Sequence, residues 1–285
     1  MSDASKPSMN DGYIYWNGEG GDIWLRNMDR IEANFVALTR YLLAHAAARP
    51  GEQVLDVGCG GGQTSRALAQ AVSPDGTVLA VDISEPILRV ARQHHGAVAN
   101  LTFLQADAGN ADLGTARFDL LFSRFGVMFF ADPAAAFTNL YRAVKPNGRM
   151  VFLCWRAMGE NAWIAASTTA AVAALGEEHR PVPPADPRAP GPFAFADADY
   201  VRGILRGAGF GTVAIDPLDE AMHLGDLDTA LDHLKSMSPI SQALPTVSAD
   251  RQNAVDAAMR DALRRYLVDG EVRAPSATWL VTARP

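Results

Sequence analysis

Residues 54–62 read Val-Leu-Asp-Val-Gly-Cys-Gly-Gly-Gly, and the next apolar run along the chain ends at Asp82. Val54, Leu55 and Val57 suit a buried parallel strand, whereas the glycines allow the backbone to turn sharply into a following helix. A strand, a tight turn and a helix in this order are typical of a nucleotide-binding loop. The stretch therefore predicts an α/β fold with a ligand site at the end of its first strand.

The spacing of the glycines does not fit the fingerprint of a dinucleotide-binding fold. That fingerprint is Gly-x-Gly-x-x-Gly, and it places a pyrophosphate at the helix N-terminus. Counted from Gly58, the third glycine is replaced by Gln63, and counted from Gly60 it is replaced by Ser65. The carboxylate of Asp56 would also repel a pyrophosphate. The pattern therefore disfavours a dinucleotide.

Two acidic strand ends favour a ligand that carries positive charge. S-adenosylmethionine brings an ammonium group and a sulfonium, which the carboxylate of Asp56 can attract. Asp82 suits the ribose hydroxyls as a paired acceptor. The competing interpretation is an ordinary strand-to-helix turn with solvated aspartates. The second acidic strand end favours the cofactor site over that alternative.

Three segments carry a resemblance to a known family. They are Asp56-Val57-Gly58-Cys59-Gly60-Gly61-Gly62, Val81-Asp82-Ile83-Ser84 and Arg142-Ala143-Val144-Lys145-Pro146-Asn147-Gly148-Arg149. Together they resemble class I S-adenosylmethionine-dependent methyltransferases, in particular the ubiquinone/menaquinone-type small-molecule group. The resemblance covers residues 51–155 and extends through 197–213 and 279–285. It implies S-adenosylmethionine as the cofactor and does not identify the methyl acceptor.

Strand and helix patterns alternate along the core with short connections. Together with the resemblance, this alternation predicts an α/β fold with a doubly wound, mostly parallel seven-stranded sheet (Rossmann-like) and helical cap insertions. The expected strands are 53–58, 77–82, 101–106, 118–123, 149–155, 212–215 and 278–282. The expected core helices are 63–72, 85–95, 133–144 and 197–208.

The same patterns divide the chain into four parts. Residues 1–48 form an N-terminal arm and helices that cover the site, with ordered structure expected from Tyr13, and residues 49–156 form the cofactor-binding core. Residues 157–196 form a helical and Pro-rich cap insertion. Residues 197–285 complete the sheet and carry a helical insertion at 226–269, with helices at 227–237 and 250–267. We expect the insertions and the N-terminal segment to cap the site and to select the substrate.

Ligands of open parallel sheets bind beyond the carboxyl ends of the strands, where the strand order reverses. The resemblance places Asp107 against the adenine amino group with Ala108 beside it, although Asp107 also suits a turn cap. Ile83 either covers one adenine face or belongs to the core, and Ser123 is expected to face the methionine end. The predicted cofactor-binding residues are Asp56, Gly58, Cys59, Gly60, Gly62, Asp82, Ile83, Asp107, Ala108, Ser123, Tyr15 and Trp16.

Tyr15 and Trp16 have two competing roles. Aromatic faces stabilise a sulfonium or ammonium by cation–π attraction of about 0.5–2 kcal/mol. The two rings are therefore expected either to close over the cofactor or to pack the first helix onto the sheet.

Residues 123–130 and two histidines give the sequence evidence about the methyl acceptor and about a general base. Residues 123–130 lack the Asn-Pro-Pro-Tyr turn of methyltransferases that act on base exocyclic amines or on glutamine, which disfavours those acceptors. Arg124 either binds an anionic substrate or pairs with a structural carboxylate. His223 and His233 are candidate general bases, because imidazole titrates near neutrality, and each also suits a structural role. No catalytic residue is assigned.

Charge and cysteine content exclude several classes. The chain has 285 residues and a net charge of −7, which disfavours a nucleic-acid partner. Cys59 and Cys154 make a poor disulfide framework, and the histidines show no metal-ligand spacing with them, so no metal is expected. No apolar run reaches the roughly 18 residues of a membrane span, and no signal peptide precedes the core, which predicts a cytoplasmic protein. The oligomeric state cannot be read.

These patterns lead to one principal function and two alternatives. The principal hypothesis is methyl transfer from S-adenosylmethionine to the oxygen, nitrogen, carbon or sulfur of a small, partly apolar metabolite. The transfer is an in-line displacement in a capped pocket and requires no obligatory base. The alternatives are a cofactor-binding regulatory protein without turnover and a protein or RNA methyltransferase.

Overall fold

The computed structural model describes residues 9–238 and 240–285. Residues 1–8 of the predicted arm lie outside the described residues. The first helix already begins at Met9, four residues before the expected start of ordered structure at Tyr13.

Helices cover both faces of a central sheet and also build the caps. Short polar side chains begin several of them: the side-chain oxygens of Ser84, Asp132, Asp197 and Asp226 each accept a backbone N–H of the first turn. The helices are α1 (Met9–Trp16), α2 (Glu19–Asn34), α3 (Val36–Ala46), α4 (Gln63–Val72), α5 (Glu85–His95), α6 (Pro133–Ala143), α7 (Ala162–Leu175), α8 (Ala198–Ala208), α9 (Leu227–Met237) and α10 (Ala249–Arg264).

The strands form one large and one small sheet. They are β1 (Gln53–Val57), β2 (Thr77–Asp82), β3 (Leu101–Gln105), β4 (Phe118–Arg124), β5 (Val144–Trp155), β6 (Thr212–Leu218), β7 (Ala221–His223), β8 (Leu267–Val268), β9 (Glu271–Pro275) and β10 (Thr278–Arg284). The large sheet has seven strands in the order β3-β2-β1-β4-β5-β10-β6, and only β10 is antiparallel to its neighbours. The predicted fold class is confirmed.

The centre of the sheet is buried on both faces. Leu55 of β1 pairs with Leu79 of β2 and Leu121 of β4, and the side chains of Leu55 and Leu121 are fully buried. Helices on both sides explain why these strands are continuous apolar runs rather than alternating ones. The strand order reverses between β1 and β4, so the carboxyl ends of these two strands define the place expected for a ligand.

The small sheet was not predicted. It has the order β7-β9-β8, and β8 lies inside the segment 226–269 that was expected to be wholly helical. The predicted helices of that segment are present as α9 and α10. With three and two residues, β7 and β8 are too short to show an alternating pattern, so their pairing depends on contacts between distant segments.

Candidate functional site

A cavity of about 900 Å³ opens at the carboxyl ends of β1, β2 and β4. We call its two parts the loop half and the cap half. The loop half is lined by Gly58, Gly60, Asp82, Asp107 and Ala108. The cap half is lined by Phe35, Trp155, Trp163, Met222 and His233. The predicted residues Cys59, Ile83, Tyr15 and Trp16 also line the cavity.

The loop half depends on a backbone conformation that only glycine adopts easily. Gly58 and Gly60 have φ angles of 66° and 54°. A Cβ atom on Gly58 would lie 2.8 Å from Cα of Gly126, and one on Gly60 would lie 2.9 Å from the Trp24 ring. The backbone N–H groups of Gly58 and Cys59 donate to the carbonyl of Val81, which ties the loop to β2. The loop therefore presents bare backbone to the cavity.

Asp82 connects this loop to the start of α5. Its Oδ2 accepts the N–H of Gly60 at 2.9 Å, and its Oδ1 accepts the N–H of Ser84 at 3.0 Å. Burial raises the pKa of Asp82, and these backbone donors oppose the rise. The carboxylate borders the cavity, and because its two oxygens offer about four acceptor positions, these backbone bonds do not use all of them.

Asp56 lies behind the cavity wall rather than in it. Its side chain is fully buried, and its Oδ2 accepts the hydroxyl hydrogens of Thr64 at 2.9 Å and Ser65 at 2.7 Å. Burial raises the pKa of Asp56 to about 6, although both hydroxyls and the charge of Arg124 oppose the rise. Only Oδ2 is engaged with the first turn of α4, and Oδ1 has no hydrogen-bond partner among the described residues, so the attraction of a positively charged cofactor by Asp56 stays a prediction.

Gly62 and Ser123 also do not line the cavity. Gly62 has a φ of 83° and begins α4, and a Cβ there would lie 2.9 Å from the ring of Phe103. Ser123 is fully buried, and its hydroxyl donates to the carbonyl of Val57 at 2.8 Å and accepts the N–H of Gly126. The expectation that Ser123 faces the cofactor is corrected, because its hydroxyl joins β4 to β1.

Asp107, Ala108 and Ile83 occupy the part of the wall where the resemblance places the adenine. Asp107 also caps its own turn, since its Oδ1 accepts the N–H of Gly109 at 2.8 Å. Both interpretations of Asp107 therefore agree with its position. Ile83 is half-buried at the cavity surface, and its role against an adenine face stays a prediction.

Helix α1 is hydrogen-bonded to the β2–α5 loop beside Asp82. Asn17 donates to the carbonyl of Ile83 at 3.0 Å and accepts the N–H of Glu85 at 2.9 Å. The hydroxyl of Ser84 donates to the carbonyl of Trp16 at 2.7 Å. Sequence reasoning missed Asn17, because its partners lie more than sixty residues away and the Asn17-Gly18 pair signals only a turn.

Trp16 packs edge-on against Phe129, with 5.1 Å between ring centroids, while Tyr15 remains about half exposed. Both rings also border the cavity. The packing role is therefore present in the structure, and closure over a cofactor stays a prediction.

Aromatic rings dominate the cap half. Phe125 stacks on Trp155 with 4.2 Å between centroids, and Phe35 packs against both rings. Trp163 from α7 extends the group. Phe125 has a φ of 62°, a strained conformation for an aromatic residue that directs the chain sharply away from the end of β4. The cap half of the cavity therefore has an aromatic wall of packed rings.

Arg124 borders this aromatic wall, and its charge is already paired. Its two terminal nitrogens bind the two carboxylate oxygens of Glu32 on α2, and one also donates to the Thr39 hydroxyl at 2.7 Å. The guanidinium lies 5.6 Å from the centroid of the Phe35 ring. Of the two interpretations of Arg124, the structural ion pair is the one present.

The two candidate histidines have different environments. His223 lies in β7, away from the cavity lining, and its Nδ1 pairs with Glu271 at 3.1 Å. His233 borders the cap half and is almost fully buried. The Asn34 amide donates to the carbonyls of Arg30 and His223, so its oxygen accepts from His233 Nε2 at 3.0 Å. Burial, aided by the charge of Arg30, lowers the pKa of His233 to about 4.

With this geometry established, comparison with known proteins identifies the core. Residues 54–148 match the family model of a methyltransferase domain. This core is a class I S-adenosylmethionine-dependent methyltransferase domain. The match includes the glycine loop and Asp82, and the resemblance seen in the sequence is confirmed.

The curated relatives of the methyltransferase domain include ubiquinone/menaquinone biosynthesis C-methyltransferases. Over 117 residues, the chain is 32% identical to the ubiquinone/menaquinone biosynthesis C-methyltransferase UbiE of Ectopseudomonas mendocina, covering 40% of this chain and 46% of the relative. It is 30% identical to the UbiE of Proteus mirabilis over the same length, covering 40% and 47%. The chain thus spans just under half the length of these relatives, and their activity is not transferred to it by the match alone.

Solved structures resemble the whole fold around the methyltransferase domain. Phosphoethanolamine N-methyltransferase 2 of Haemonchus contortus, in complex with S-adenosylmethionine, has a TM-score of 0.57 at 18% identity, covering 96% of this chain and 60% of that one. The YcgJ protein of Bacillus subtilis has a TM-score of 0.55 at 16% identity, covering 87% and 98%. The [4+2]-cyclase SpnF has a TM-score of 0.51 at 18% identity, covering 87% and 80%. At these identities the likeness shows the fold alone.

The residues of the loop half fit the cofactor of this class. The glycine loop lies where side chains would clash, and Asp82 keeps acceptor positions suited to ribose hydroxyls. Burial and the charges of Asp82 and Asp56 raise the pKa of the Cys59 thiol, so this thiol stays neutral beside the site.

Residues 9–238 and 240–285 contain neither a candidate metal site nor a candidate membrane-spanning helix. Within these ranges, no three His, Cys, Asp or Glu side chains come together as a possible metal site. None of the helices in these ranges combines the length and the apolar character that crossing a membrane requires.

Proposed function

We propose that this protein transfers a methyl group from S-adenosylmethionine to a small, partly apolar molecule. The observation that carries the proposal is the continuity of the cavity: the glycine loop and Asp82 share one space with the aromatic wall of the cap half. A cofactor in the loop half and an acceptor in the cap half would therefore lie side by side.

The size and enclosure of the cavity support a small acceptor. Its volume of about 900 Å³ lies near the upper end of the roughly 300–1,000 Å³ usual for small-molecule sites. Residues of α2, of the Pro-rich segment 181–193 and of α9 contribute to its lining. The cap segments that contribute to this lining favour a small acceptor over a macromolecular one.

The chain's own residues contribute alignment and a dry environment. When bound, S-adenosylmethionine supplies a methyl group on a sulfonium for in-line displacement. The glycine loop and Asp82 hold one partner in place, and the rings of Phe35, Phe125 and Trp155 hold the other and exclude water. Alignment of this kind contributes roughly 7–11 kcal/mol to lowering a two-reactant barrier.

No side chain of the cap half is suited to strong general-base catalysis. With a pKa of about 4, His233 is a poor proton acceptor at neutral pH, where a base works best with a pKa near the working pH. Its Nδ1 is also buried and has no hydrogen-bond partner among the described residues. We therefore propose that the reaction proceeds without an obligatory base.

Cofactor binding is the first test. Calorimetry with S-adenosylmethionine and with its demethylated product should show binding, and Asp82→Asn should weaken it by about 1–3 kcal/mol, since one charged acceptor is lost. Asp119→Asn is the matched control, because Asp119 also accepts a backbone N–H but pairs with Lys145 away from the cavity. Tighter binding of NAD than of S-adenosylmethionine would contradict the proposal.

Turnover is the second test. The purified protein is incubated with methyl-labelled cofactor and a metabolite extract, and labelled products are separated by mass. A labelled small molecule would support the proposal. Cofactor binding without any labelled product would favour a regulatory protein, and label in added protein or RNA would favour a macromolecular acceptor.

A further inference from the structure

The cap half contains an ion pair whose position suggests a role in choosing the acceptor. Among the described residues, the acids and bases that border the cavity include Glu19 at the exposed start of α2 and Asp82 and Asp107 in the loop half. Arg124 and His233 remain next to the aromatic wall. The low pKa of His233 keeps this imidazole neutral. Whether the cap half presents a positive charge therefore depends on whether Arg124 is paired.

Arg124 is held in a fixed, paired state. Both terminal nitrogens bind Glu32, and only 10% of the Arg124 side chain and 17% of the Glu32 side chain are exposed. A guanidinium does not lose its proton in a protein, so removing the carboxylate charge of Glu32 would leave the cation without its direct partner in a partly buried place, and Asp56, which interacts with Arg124 only at longer range, would balance it only in part. Glu32 itself does not line the cavity, and it acts on the cavity through Arg124.

We infer that Glu32 is a specificity-determining residue: by neutralising Arg124, it makes the cap half select uncharged acceptors and reject anionic ones. The inference rests on the proposed function, because it assigns the cap half to the acceptor. The cap half then offers apolar and aromatic contacts with no free charge. A carboxylate or phosphate on the acceptor would lose its hydration without gaining a partner.

A second ion pair in the same chain provides a matched control. Arg149 binds Glu52 through both terminal nitrogens, and the exposed fractions are again low, at 12% and 16%. Arg149 also donates to the carbonyls of Ala46 and Ala47, and neither partner borders the cavity. If the Glu32–Arg124 pair only supported the fold, the two pairs would respond alike to mutation.

The test uses two probes with the same ring system and different charge, 2-naphthylmethanol and 2-naphthoate. Their binding to the full chain is measured by calorimetry at pH 7.5 (about neutral, where His233 is uncharged), with and without saturating S-adenosylhomocysteine. The wild-type protein should bind the alcohol and prefer it to the carboxylate by about tenfold or more. Binding of S-adenosylhomocysteine is measured separately. A protein that does not bind it would contradict the proposed function, whereas a protein that binds it but does not prefer the uncharged probe would contradict the inference about Glu32.

The variants then test whether Glu32 causes this preference. Glu32→Gln should raise the affinity for 2-naphthoate by about tenfold and leave the affinity for the alcohol nearly unchanged. The double variant Glu32→Gln/Arg124→Gln should lose this gain, and Glu52→Gln should not show it. Equal wild-type affinities for the two probes, or no binding of the alcohol, would overturn the inference without any variant. A Glu32→Gln protein that binds both probes more weakly would show a purely structural role and would also overturn it.

Discussion

The two halves of the cavity are built in different ways. The loop half comes from strand ends within residues 57–108, and backbone geometry and the carboxylates of Asp82 and Asp107 shape it. The cap half comes from segments distributed from α2 to α9, and packed rings and a neutralised ion pair shape it. Burial also shifts the pKa of one group near each half in opposite directions. It raises the pKa of Asp56, behind the loop half, and lowers the pKa of His233, in the cap half. The loop half is therefore built from a short stretch of the chain, whereas the cap half depends on how distant segments pack; under the proposed function, this separates the cofactor site from the acceptor site.

The largest expected effect is on the loop half. Gly58→Ala should lower the free energy of unfolding by more than about 2 kcal/mol and abolish cofactor binding, because the new Cβ meets the Gly126 backbone at a positive φ. Gly51→Ala is the control, since Gly51 has a φ of 84° and no atom near its would-be Cβ. Denaturant unfolding and calorimetry measure both quantities. Equal effects of the two substitutions would refute the argument from close backbone approach.

The second prediction concerns the cap half at low pH. The pKa of His233 is about 4 in the folded state against 6.5 ordinarily, so the unfolded chain binds a proton more readily. The wild-type protein should therefore lose about 3 kcal/mol relative to His233→Gln as the pH falls from 6.5 to about 4. Denaturant unfolding of both proteins across this range is the measurement. Parallel stability curves would show that His233 is not buried in its neutral form.

The third prediction concerns Asp56, behind the loop half. Here the protein should lose stability as the pH rises, whereas with His233 it loses stability as the pH falls. The pKa of Asp56 is about 6 in the folded state against 3.8 ordinarily, so the folded protein binds the proton more readily. As the pH rises from 3.8 through about 6, the wild-type protein should lose about 3 kcal/mol relative to Asp56→Asn, which can still accept from Thr64 and Ser65. The comparison uses the same unfolding measurements. A wild-type protein that gains stability over this range relative to Asp56→Asn would contradict the raised pKa.

The smallest expected effect concerns the contact between α1 and the loop half. Asn17→Ala removes two hydrogen bonds to the β2–α5 loop and should weaken cofactor binding by about 1 kcal/mol, mainly through faster release. Stopped-flow release of S-adenosylhomocysteine measures this rate. Asn100→Ala also removes two hydrogen bonds, to Ala69 and Gly76, and lies away from the cavity. It should reduce stability without changing release, and an equal change in release would contradict a specific role for α1.

Much of the fold could be predicted because its signals are local. The strand at 77–82 and the helices at 63–72 and 85–95 were predicted with the observed bounds, since apolar runs, glycines and cap residues mark each element within a few positions. The small sheet could not be predicted, because β7 and β8 have only three and two residues and β7 pairs with a strand that lies beyond α9 and α10 in the chain.

In the candidate site, too, the features with local signals could be predicted and those that depend on distant contacts could not. Gly58, Gly60, Asp82 and Asp107 were predicted correctly to share one place, because parallel strands bring their carboxyl ends together. The sequence did not reveal that Asp56 faces α4, because side-chain direction at a strand end depends on the turn that follows. Nor did it reveal Glu32, which is charged and lies on an amphipathic helix like many solvated residues.

The sequence by itself determined the parallel sheet, the glycine loop and the acidic end of β2, because periodicity, backbone freedom and strand direction act over a few neighbouring residues. Only the tertiary structure decided which charges are neutralised and which rings form the aromatic wall of the cavity. Glu32 meets Arg124, and Asn17 meets Ile83, across long stretches of chain. Such contacts depend on how separate helices pack against one sheet, and no local pattern encodes them.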